Sequence, residues 1–127
     1  MIKLHHLNKS RSKRIIWLLE ELGIEYQLIP YQRDTTTRRA PAALKAINPL
    51  AKSPVIEDGD LVLTESGAIV DYLVSRYGAD TLAPPTQTAE HARYVQWLHF
   101  AEGTAAYPLI TRYLLSADNS QDCFLGD

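Results

Sequence analysis

The chain has 127 residues, of which 46% are hydrophobic and 22% charged, and its net charge is −2. This length suits about one domain, the composition excludes a disordered chain, and the charge balance gives no reason to expect nucleic acid or a membrane as partner. The chain has one cysteine, Cys123, which excludes an intrachain disulfide and a cysteine-rich zinc site. It contains no run of about 20 apolar residues, the length that a membrane-spanning helix needs. We therefore expect a soluble, cytoplasmic protein with no bound metal.

The first part of the chain has the pattern of a strand, a helix and a second strand. Residues 2–7 begin with apolar-polar alternation, and residues 25–30 form a second short run of strand type. Between them, Ser12 is a candidate N-cap and Gly23 a candidate C′ residue. The apolar face of the intervening helix has i, i+3, i+4, i+7 spacing: Ile15, Leu18, Leu19 and Leu22. A strand-helix-strand unit of this size predicts two parallel strands.

A hairpin and a further helix follow a polar loop and a short helix. Residues 31–39 are polar and predict a surface loop, and residues 41–47 predict a short helix. Asp58-Gly59 lies between two apolar runs and is a strong hairpin signal. Thr64 is a candidate cap for a helix that Gly78 ends. The predicted order over residues 1–78 is β-α-β-α-β-β-α.

The remainder of the chain predicts a linker and a helix with an aromatic face. Residues 79–86 contain "LAPPT", which predicts a stiff linker, and a helical pattern begins near Gln87. Gly103 and Pro108 should weaken or kink this helix. Its wide apolar stripe includes Trp97 and must be covered by the first domain, by more helices or by another chain. The last residues, from Ser116, lack periodicity and suggest a frayed tail.

Two dipeptides permit both a structural and a functional interpretation. Ser53-Pro54 fits an ordinary trans proline at the start of an edge strand, and the alternative is a cis bond that frees the Ser53 main chain for a ligand. Glu65-Ser66 fits a helix start in which the carboxylate favours the dipole. The alternative is that the pair binds the headgroup of an amino-acid ligand. The Glu65 carboxylate would then bind the ligand's ammonium group, and the Ser66 N–H and hydroxyl would bind the ligand's carboxylate. Considered alone, both dipeptides favour the structural interpretation.

The loop "NKSRS" follows the first strand, at the sheet edge where ligands tend to bind. It places the hydroxyls of Ser10 and Ser12 near a helix N-terminus, but no Ser-His-Asp arrangement accompanies them. His5 and His6 are adjacent on a strand, so their side chains face opposite sides and cannot easily share a metal. We interpret both histidines as structural.

The order of these weak signals resembles one family. The segments "SRSKRIIWLLEELGIEYQLI" and "INPLAKSPVIEDGDLVLTESGAIVDYL", followed by a proline-rich linker and an aromatic helix, resemble the glutathione S-transferases, in a theta-like, soluble bacterial branch. The resemblance extends from Met1 to about Tyr113. It implies an α/β thioredoxin-like domain at 1–78, a linker at 79–86, and the start of an all-α domain at 87–127. Because members of the family carry further helices, the resemblance also implies a chain truncated within its second domain.

The resemblance assigns a glutathione site to residues of the two dipeptides. It implies a cis bond before Pro54, with the main chain of Ser53 pairing with the cysteinyl part of glutathione as an added strand would. Glu65 and Ser66 would hold the γ-glutamyl group. Lys52 matches a position that approaches the glycyl carboxylate in some classes.

The resemblance also points to a catalytic serine in the first loop. Theta-like members use a serine in a Ser-x-Pro-x-Arg pattern, and "SRSKR" aligns Ser10 with that serine and Arg14 with the arginine. Ser12 stands where the pattern has proline, so Ser12 and Asn8 are alternatives to Ser10. The loop contains neither the tyrosine nor the cysteine that other classes use.

The resemblance implies a glutathione transferase that activates the thiol of glutathione and conjugates it to a small hydrophobic electrophile. Glutathione would be a co-substrate, with no other cofactor, and the family habit implies a homodimer. A non-catalytic glutathione-binding or interaction module with the same fold is the alternative, favoured by the shortened second domain.

Overall fold

A computed structural model describes residues 1–78 and 81–116, except for the side chains of Leu114 and Ser116. Two residues of the predicted linker, the tail after residue 116 and Cys123 lie outside this range. The elements are β1 (Ile2–Leu7), α1 (Ser12–Glu21), β2 (Tyr26–Tyr31), α2 (Ala42–Ile47), β3 (Val55–Asp58), β4 (Leu61–Thr64), α3 (Ser66–Tyr77), α4 (Ala89–Phe100), a π-helical segment (Ala101–Ala105) and α5 (Ala106–Ser116). The predicted order of strands and helices up to α3 is confirmed.

The four strands form one mixed sheet in the order β2-β1-β3-β4. β1 and β2 are parallel, as the strand-helix-strand pattern predicted, whereas β3 is antiparallel to both β1 and β4. This is the arrangement of a thioredoxin-like domain. A consequence for function is that the last residues of β1 and β4 and the first residue of β3 meet at one end of the sheet.

Alternating side chains of β1 divide the core between the two faces of the sheet. Ile2 and Leu4 belong to a buried cluster with residues of α1 and α3: Ile15, Leu19, Ile69 and Leu73. Leu7, on the opposite face, packs with Leu44 of α2 and Val55 of β3. The period of two along a strand therefore places α1 and α3 on one face and α2 on the other.

Local signals predicted the ends of α1 and α3 correctly, since Gly78 is the C-cap of α3, but they placed both N-caps wrongly. Gly23 follows α1 with φ +63°, and the N–H groups of Gly23 and Ile24 bond to the carbonyls of Glu20 and Leu19. This is the Schellman arrangement. The predicted N-caps are wrong, because Ser12 is the first residue of α1 itself and the N-cap position of α3 is Glu65, whose side chain caps nothing.

The hairpin between β3 and β4 is present, but its loop lies one residue later than the Asp-Gly signal suggested. Asp58 pairs with Leu61, so the two loop residues are Gly59 and Asp60. Gly59 has φ +60°, and glycine adopts that conformation at little cost. Glycine as the first residue of a two-residue loop is typical of hairpin turns that match the strand twist.

The chain divides into two compact units, Met1–Ala83 and Pro84–Asp127. In the second unit the predicted long helix starts at Ala89, where the Thr88 hydroxyl caps it by accepting from the His91 N–H. A π-helical segment around Gly103 interrupts this helix, and Pro108 lies in the first turn of α5, where proline is tolerated. Across the described residues, none of the helices is long and apolar enough to cross a membrane.

Candidate functional site

The strand register brings three distant segments together at one end of the sheet. His5 pairs with Val55, and Val55 pairs with Thr64. The residues that follow β1, precede β3 and follow β4 are therefore neighbours. These segments are the loop 8–11, the dipeptide Ser53-Pro54 and the dipeptide Glu65-Ser66.

Ser53 joins β1 to β3 at this end, and the bond between Ser53 and Pro54 is cis. The Ser53 Oγ donates to the carbonyl of His5 at 2.8 Å and accepts from the N–H of Leu7 at 3.1 Å. The local expectation of a trans edge proline is thus wrong, and the cis bond implied by the family resemblance is confirmed. Both bonds of its hydroxyl fix Ser53 to the main chain of β1.

Four side chains form a continuous series of polar contacts, which we call the hydroxyl chain: Ser53, Ser10, Ser12 and His6. The Oγ atoms of Ser10 and Ser53 are 3.4 Å apart, a long and weak contact, whereas those of Ser10 and Ser12 are 2.6 Å apart. The Ser12 Oγ in turn lies 2.7 Å from Nδ1 of His6. The hydroxyl chain leads from Ser53, just before β3, through the first loop, to the face of β1 that α1 covers.

The three candidate residues of the first loop differ in what a ligand could reach. The Ser12 side chain is 0% exposed, so its hydroxyl can meet only protein atoms. Ser10 is half-buried, and its Oγ also accepts the N–H of Ser12 at 3.2 Å. The Asn8 Oδ1 accepts the main-chain N–H of Arg33 at 2.9 Å, so that side chain holds two loops together. Of the two serines in the loop, Ser10 is therefore the one that is not fully buried, and it lies beside Ser53.

The start of α3 presents a charged side chain, a small hydroxyl and free main-chain donors. Glu65 has φ +69° and ψ +117°, a conformation that non-glycine residues rarely adopt, and its side chain is exposed. Ser66 is 7% exposed, and its hydroxyl makes no hydrogen bond with any described residue. The N–H groups of the first helical turn lack acceptors within the helix and carry partial positive charge, so this helix start can take a carboxylate.

Lys52 directly precedes Ser53 and has an exposed side chain. Its carbonyl accepts from the Asn48 amide at 3.1 Å, which anchors the main chain of the segment. Its ammonium group forms no ion pair with any residue that the structure describes. The ammonium is therefore available to an anionic group.

An anchor at the far end of α3 holds that helix on the hairpin. The hydroxyls of Tyr72 and Tyr77 both donate to the Asp58 Oδ2, at 2.8 and 2.7 Å. These two bonds lower the pKa of the Asp58 carboxyl below its usual value, the Tyr77 bond having the larger effect. These bonds hold the second half of α3 on the hairpin.

A second polar network, which sequence reasoning missed, joins β1 to β3 on the opposite face of the sheet. Buried His5 lies between the Tyr31 hydroxyl, 2.9 Å from Nδ1, and the Glu57 carboxylate, 2.7 Å from Nε2. Lys3 donates to the other carboxylate oxygen of Glu57 at 3.0 Å. The two adjacent histidines face opposite sides, as predicted, and the polar residue at every second position of β1 was the signal available for this network.

The Glu57 network predicts a specific loss of stability in acid. The hydrogen bond from His5, followed by that from Lys3, holds the pKa of Glu57 below its ordinary value of 4.5. A carboxyl group with a lowered folded-state pKa stabilises the protein above its unfolded-state value, and this contribution disappears as pH falls through the folded-state value. We expect Glu57→Gln to lower the free energy of unfolding at pH 7 by about 1–2 kcal/mol and to flatten its decrease below pH 4.5.

Urea unfolding at several pH values tests this expectation. Glu25→Gln is the matched control, because Glu25 is exposed and has no hydrogen-bond partner in the described part of the chain. Asp58 remains in the variant, so some acid sensitivity should persist. Equal slopes in Glu57→Gln and the unchanged protein would show that the network does not contribute.

Comparisons with known proteins give one consistent result. The family model described as the glutathione S-transferase N-terminal domain matches residues 1–75. "Glutathione S-transferase 3" of Schizosaccharomyces pombe is 42% identical over 104 residues, which cover 82% of this chain and 42% of that protein. The chain therefore spans less than half the length of this relative.

Two solved structures extend the comparison. A glutathione S-transferase from Actinobacillus pleuropneumoniae is 42% identical with a TM-score of 0.80, over 93% of this chain and 55% of that one. A theta class glutathione S-transferase from Xanthomonas axonopodis pv. citri, solved with glutathione bound, is 33% identical with a TM-score of 0.67, over 84% and 50%. The family model, which matches residues 1–75, includes the three segments at the sheet end described above.

Proposed function

The chain belongs to the glutathione S-transferase family, and from this premise we propose that it binds glutathione at the end of the sheet and transfers it to a small hydrophobic electrophile. The observation that carries the proposal is the convergence of Ser10, Ser53 and the start of α3 at one sheet end. Such a site offers main-chain donors and acceptors, a carboxylate and a hydroxyl in the order in which a γ-glutamyl tripeptide needs them.

The tripeptide would be held along its whole length. The main chain of Ser53, before Pro54, pairs with the cysteinyl residue in the manner of an added strand. At the γ-glutamyl end, Glu65 takes the ammonium group, while the Ser66 hydroxyl and the first N–H groups of α3 take the carboxylate. Lys52 takes the glycyl carboxylate through its ammonium group. Each part of the ligand thus meets a group of complementary charge or hydrogen-bonding capacity.

Ser10 would activate the thiol. A free thiol is mostly protonated at neutral pH, and its thiolate is the nucleophile. A hydrogen bond from the Ser10 hydroxyl to sulfur, near the start of α1, stabilises the anion and lowers the thiol pKa, and the released proton passes to solvent. The thiolate then forms a carbon–sulfur bond with the electrophile, whose leaving group departs with the bonding electron pair.

Calorimetry with glutathione, followed by turnover of an aryl halide, tests the proposal. We expect saturable binding and release of the halide in proportion to conjugate formed. Binding without turnover would identify a glutathione-binding module instead of an enzyme. Absence of binding would reject the site. Ser75→Ala, at an exposed position of α3, is the control variant and should bind glutathione and turn over as the unsubstituted protein does.

We also propose that two copies of the chain pair. Trp97 is 64% exposed and packs edge-on against Phe100, so α4 presents an aromatic face to its surroundings. Apolar area of this kind favours association when a second surface covers it. Sedimentation should show a dimer that Trp97→Ala weakens, and a monomer at all concentrations would contradict the pairing.

A further inference from the structure

The hydroxyl chain contains one hydrogen bond, between Ser10 and Ser12, whose direction these two serines do not determine alone. A serine hydroxyl has one proton and two lone pairs. Ser53 has already used its proton on the His5 carbonyl and one lone pair on the Leu7 N–H. Ser10 has used one lone pair on the Ser12 N–H. The direction of the 2.6 Å bond between Ser10 and Ser12 is the remaining variable.

The direction of that bond decides whether Ser10 can serve a thiolate. If Ser12 donates to Ser10, both lone pairs of Ser10 are occupied. Its proton then meets only the Ser53 Oγ, at a long 3.4 Å, and can turn to a ligand instead. If Ser10 donates to Ser12, its proton is engaged and its hydroxyl offers only a lone pair to the ligand, which repels a thiolate. The two directions therefore differ in the group presented at the site.

The last member of the hydroxyl chain, His6, controls the direction of the Ser10–Ser12 bond. Its Nδ1 lies 2.7 Å from the Ser12 Oγ and can either donate or accept, depending on which ring nitrogen carries the proton. A proton on Nδ1 occupies a lone pair of Ser12 and leaves the Ser12 proton for two acceptors, the Ser10 Oγ at 2.6 Å and the Leu7 carbonyl at 3.5 Å. The shorter contact with Ser10 is the stronger one. An unprotonated Nδ1 takes the Ser12 proton and reverses the chain.

We propose that His6 is a positioning residue whose Nδ1–H, acting through Ser12, directs the Ser10 proton outward to the sulfur of glutathione. This inference rests on the proposed function, because it takes the sulfur of glutathione as the acceptor of the Ser10 hydroxyl proton. It adds a residue to the thiol-binding machinery that touches neither glutathione nor the electrophile.

The surroundings of His6 suit a neutral donor. The ring is half-buried on the face of β1 that α1 covers. Burial, followed by the nearby charge of Lys13, lowers the pKa of His6, so the ring is neutral at neutral pH. Its Nε2 makes no hydrogen bond with any described residue. In the described part of the chain, no acceptor therefore holds the ring proton on Nε2 in place of Nδ1.

The test compares His6→Leu with His6→Asn in the full chain. Leucine removes the donor, whereas the asparagine side-chain amide can place an N–H where Nδ1 lies. The measurements are the affinity for glutathione by calorimetry, the pKa of the bound thiol from the ultraviolet absorbance of the thiolate, and kcat against KM. We expect His6→Leu to raise the bound-thiol pKa by about one unit and to lower kcat about tenfold, with unchanged affinity. His6→Asn should recover most of this loss.

A double-mutant cycle with Ser12→Ala separates an action through Ser12 from a general loss of packing. If His6 acts through Ser12, adding His6→Leu to Ser12→Ala should have no further effect on the thiol pKa. Additive effects would overturn the inference, as would an unchanged thiol pKa in His6→Leu with glutathione bound. If the unsubstituted protein does not bind glutathione, the proposed function fails first and this inference fails with it.

Discussion

Ser10→Ala is expected to lower kcat for glutathione conjugation roughly 10²-fold, which is the usual effect of removing one donor from a developing or stored anion. The affinity for glutathione should change by less than about threefold, because the tripeptide is held mainly by Ser53 and the start of α3. The reason is chemical: alanine removes the hydrogen bond to the thiolate and leaves the binding groups in place. The bound thiol should then titrate at higher pH, which pH-dependent absorbance and steady-state kinetics measure together.

Two other substitutions in the first loop make the Ser10 result specific. Ser10→Thr retains a hydroxyl and should retain most of the rate. Ser12→Ala removes a fully buried hydroxyl that bonds to His6, so its main effect should be a loss of stability of about 1–3 kcal/mol with a smaller loss of rate. An active Ser10→Ala together with an inactive, folded Ser12→Ala would show that the family pattern was aligned one serine too early.

Glu65→Ala is expected to weaken glutathione binding about 10- to 100-fold, since a charge-assisted hydrogen bond contributes roughly 1.5–3 kcal/mol. The carboxylate is the group at the start of α3 that can meet the ligand's ammonium. Glu65→Gln keeps an acceptor of the same shape without the charge, so its affinity should be intermediate. Calorimetry at two salt concentrations would show a weaker salt dependence in both variants.

Glu65→Gly separates the side chain from the backbone that carries it. The φ of +69° at this position costs a non-glycine residue about 1–3 kcal/mol. Glycine adopts positive φ readily, so this variant should be at least as stable as Glu65→Ala while binding glutathione equally weakly. If either variant bound as tightly as the unsubstituted protein, the carboxylate would not contact the ligand.

The local signals were sufficient to predict the order of elements in the first unit, because these elements are short and are separated by residues that end helices or form turns. Ile15 and Leu19 repeat at helical spacing, and Gly23 ends the helix with the positive φ that favours glycine. Gly59 likewise allows the hairpin, although the pairing of Asp58 with Leu61 set the loop one residue later than the sequence suggested. Positions defined by sheet register are beyond a local pattern, since register depends on the partner strand.

The polar contacts around the site could not be predicted in the same way. His5 and Glu57 are 52 positions apart in the sequence, and only the sheet brings them together. Ser12 looked like a helix cap because its type and place suited one, but its hydroxyl bonds to His6 at the other end of the loop. Competition between local capping and a buried partner is decided by tertiary structure.

The candidate site shows the same division. Local physics favoured a trans bond before Pro54 and an ordinary helix start at Glu65, and the structure has a cis bond and a left-handed backbone at these positions. The positive φ at Glu65 is locally unfavourable for a non-glycine residue, and the surrounding structure maintains it. The order of motifs along the chain, which resembles a family, pointed to the cis bond in advance, whereas the positive φ of Glu65 was not predicted.

Because β1, β3 and β4 meet at one end of the sheet, glutathione binding should depend on the folded state of the first unit. Its proposed contacts come from segments as far apart as Ser10 and Glu65, so the unfolded chain has no equivalent site. A ligand that binds only the folded form at 100 times its dissociation constant adds about 2.7 kcal/mol to the stability of that form. The melting temperature of the first unit should therefore rise with glutathione concentration, and a core change that loosens the sheet should weaken apparent binding even when every contact residue is intact.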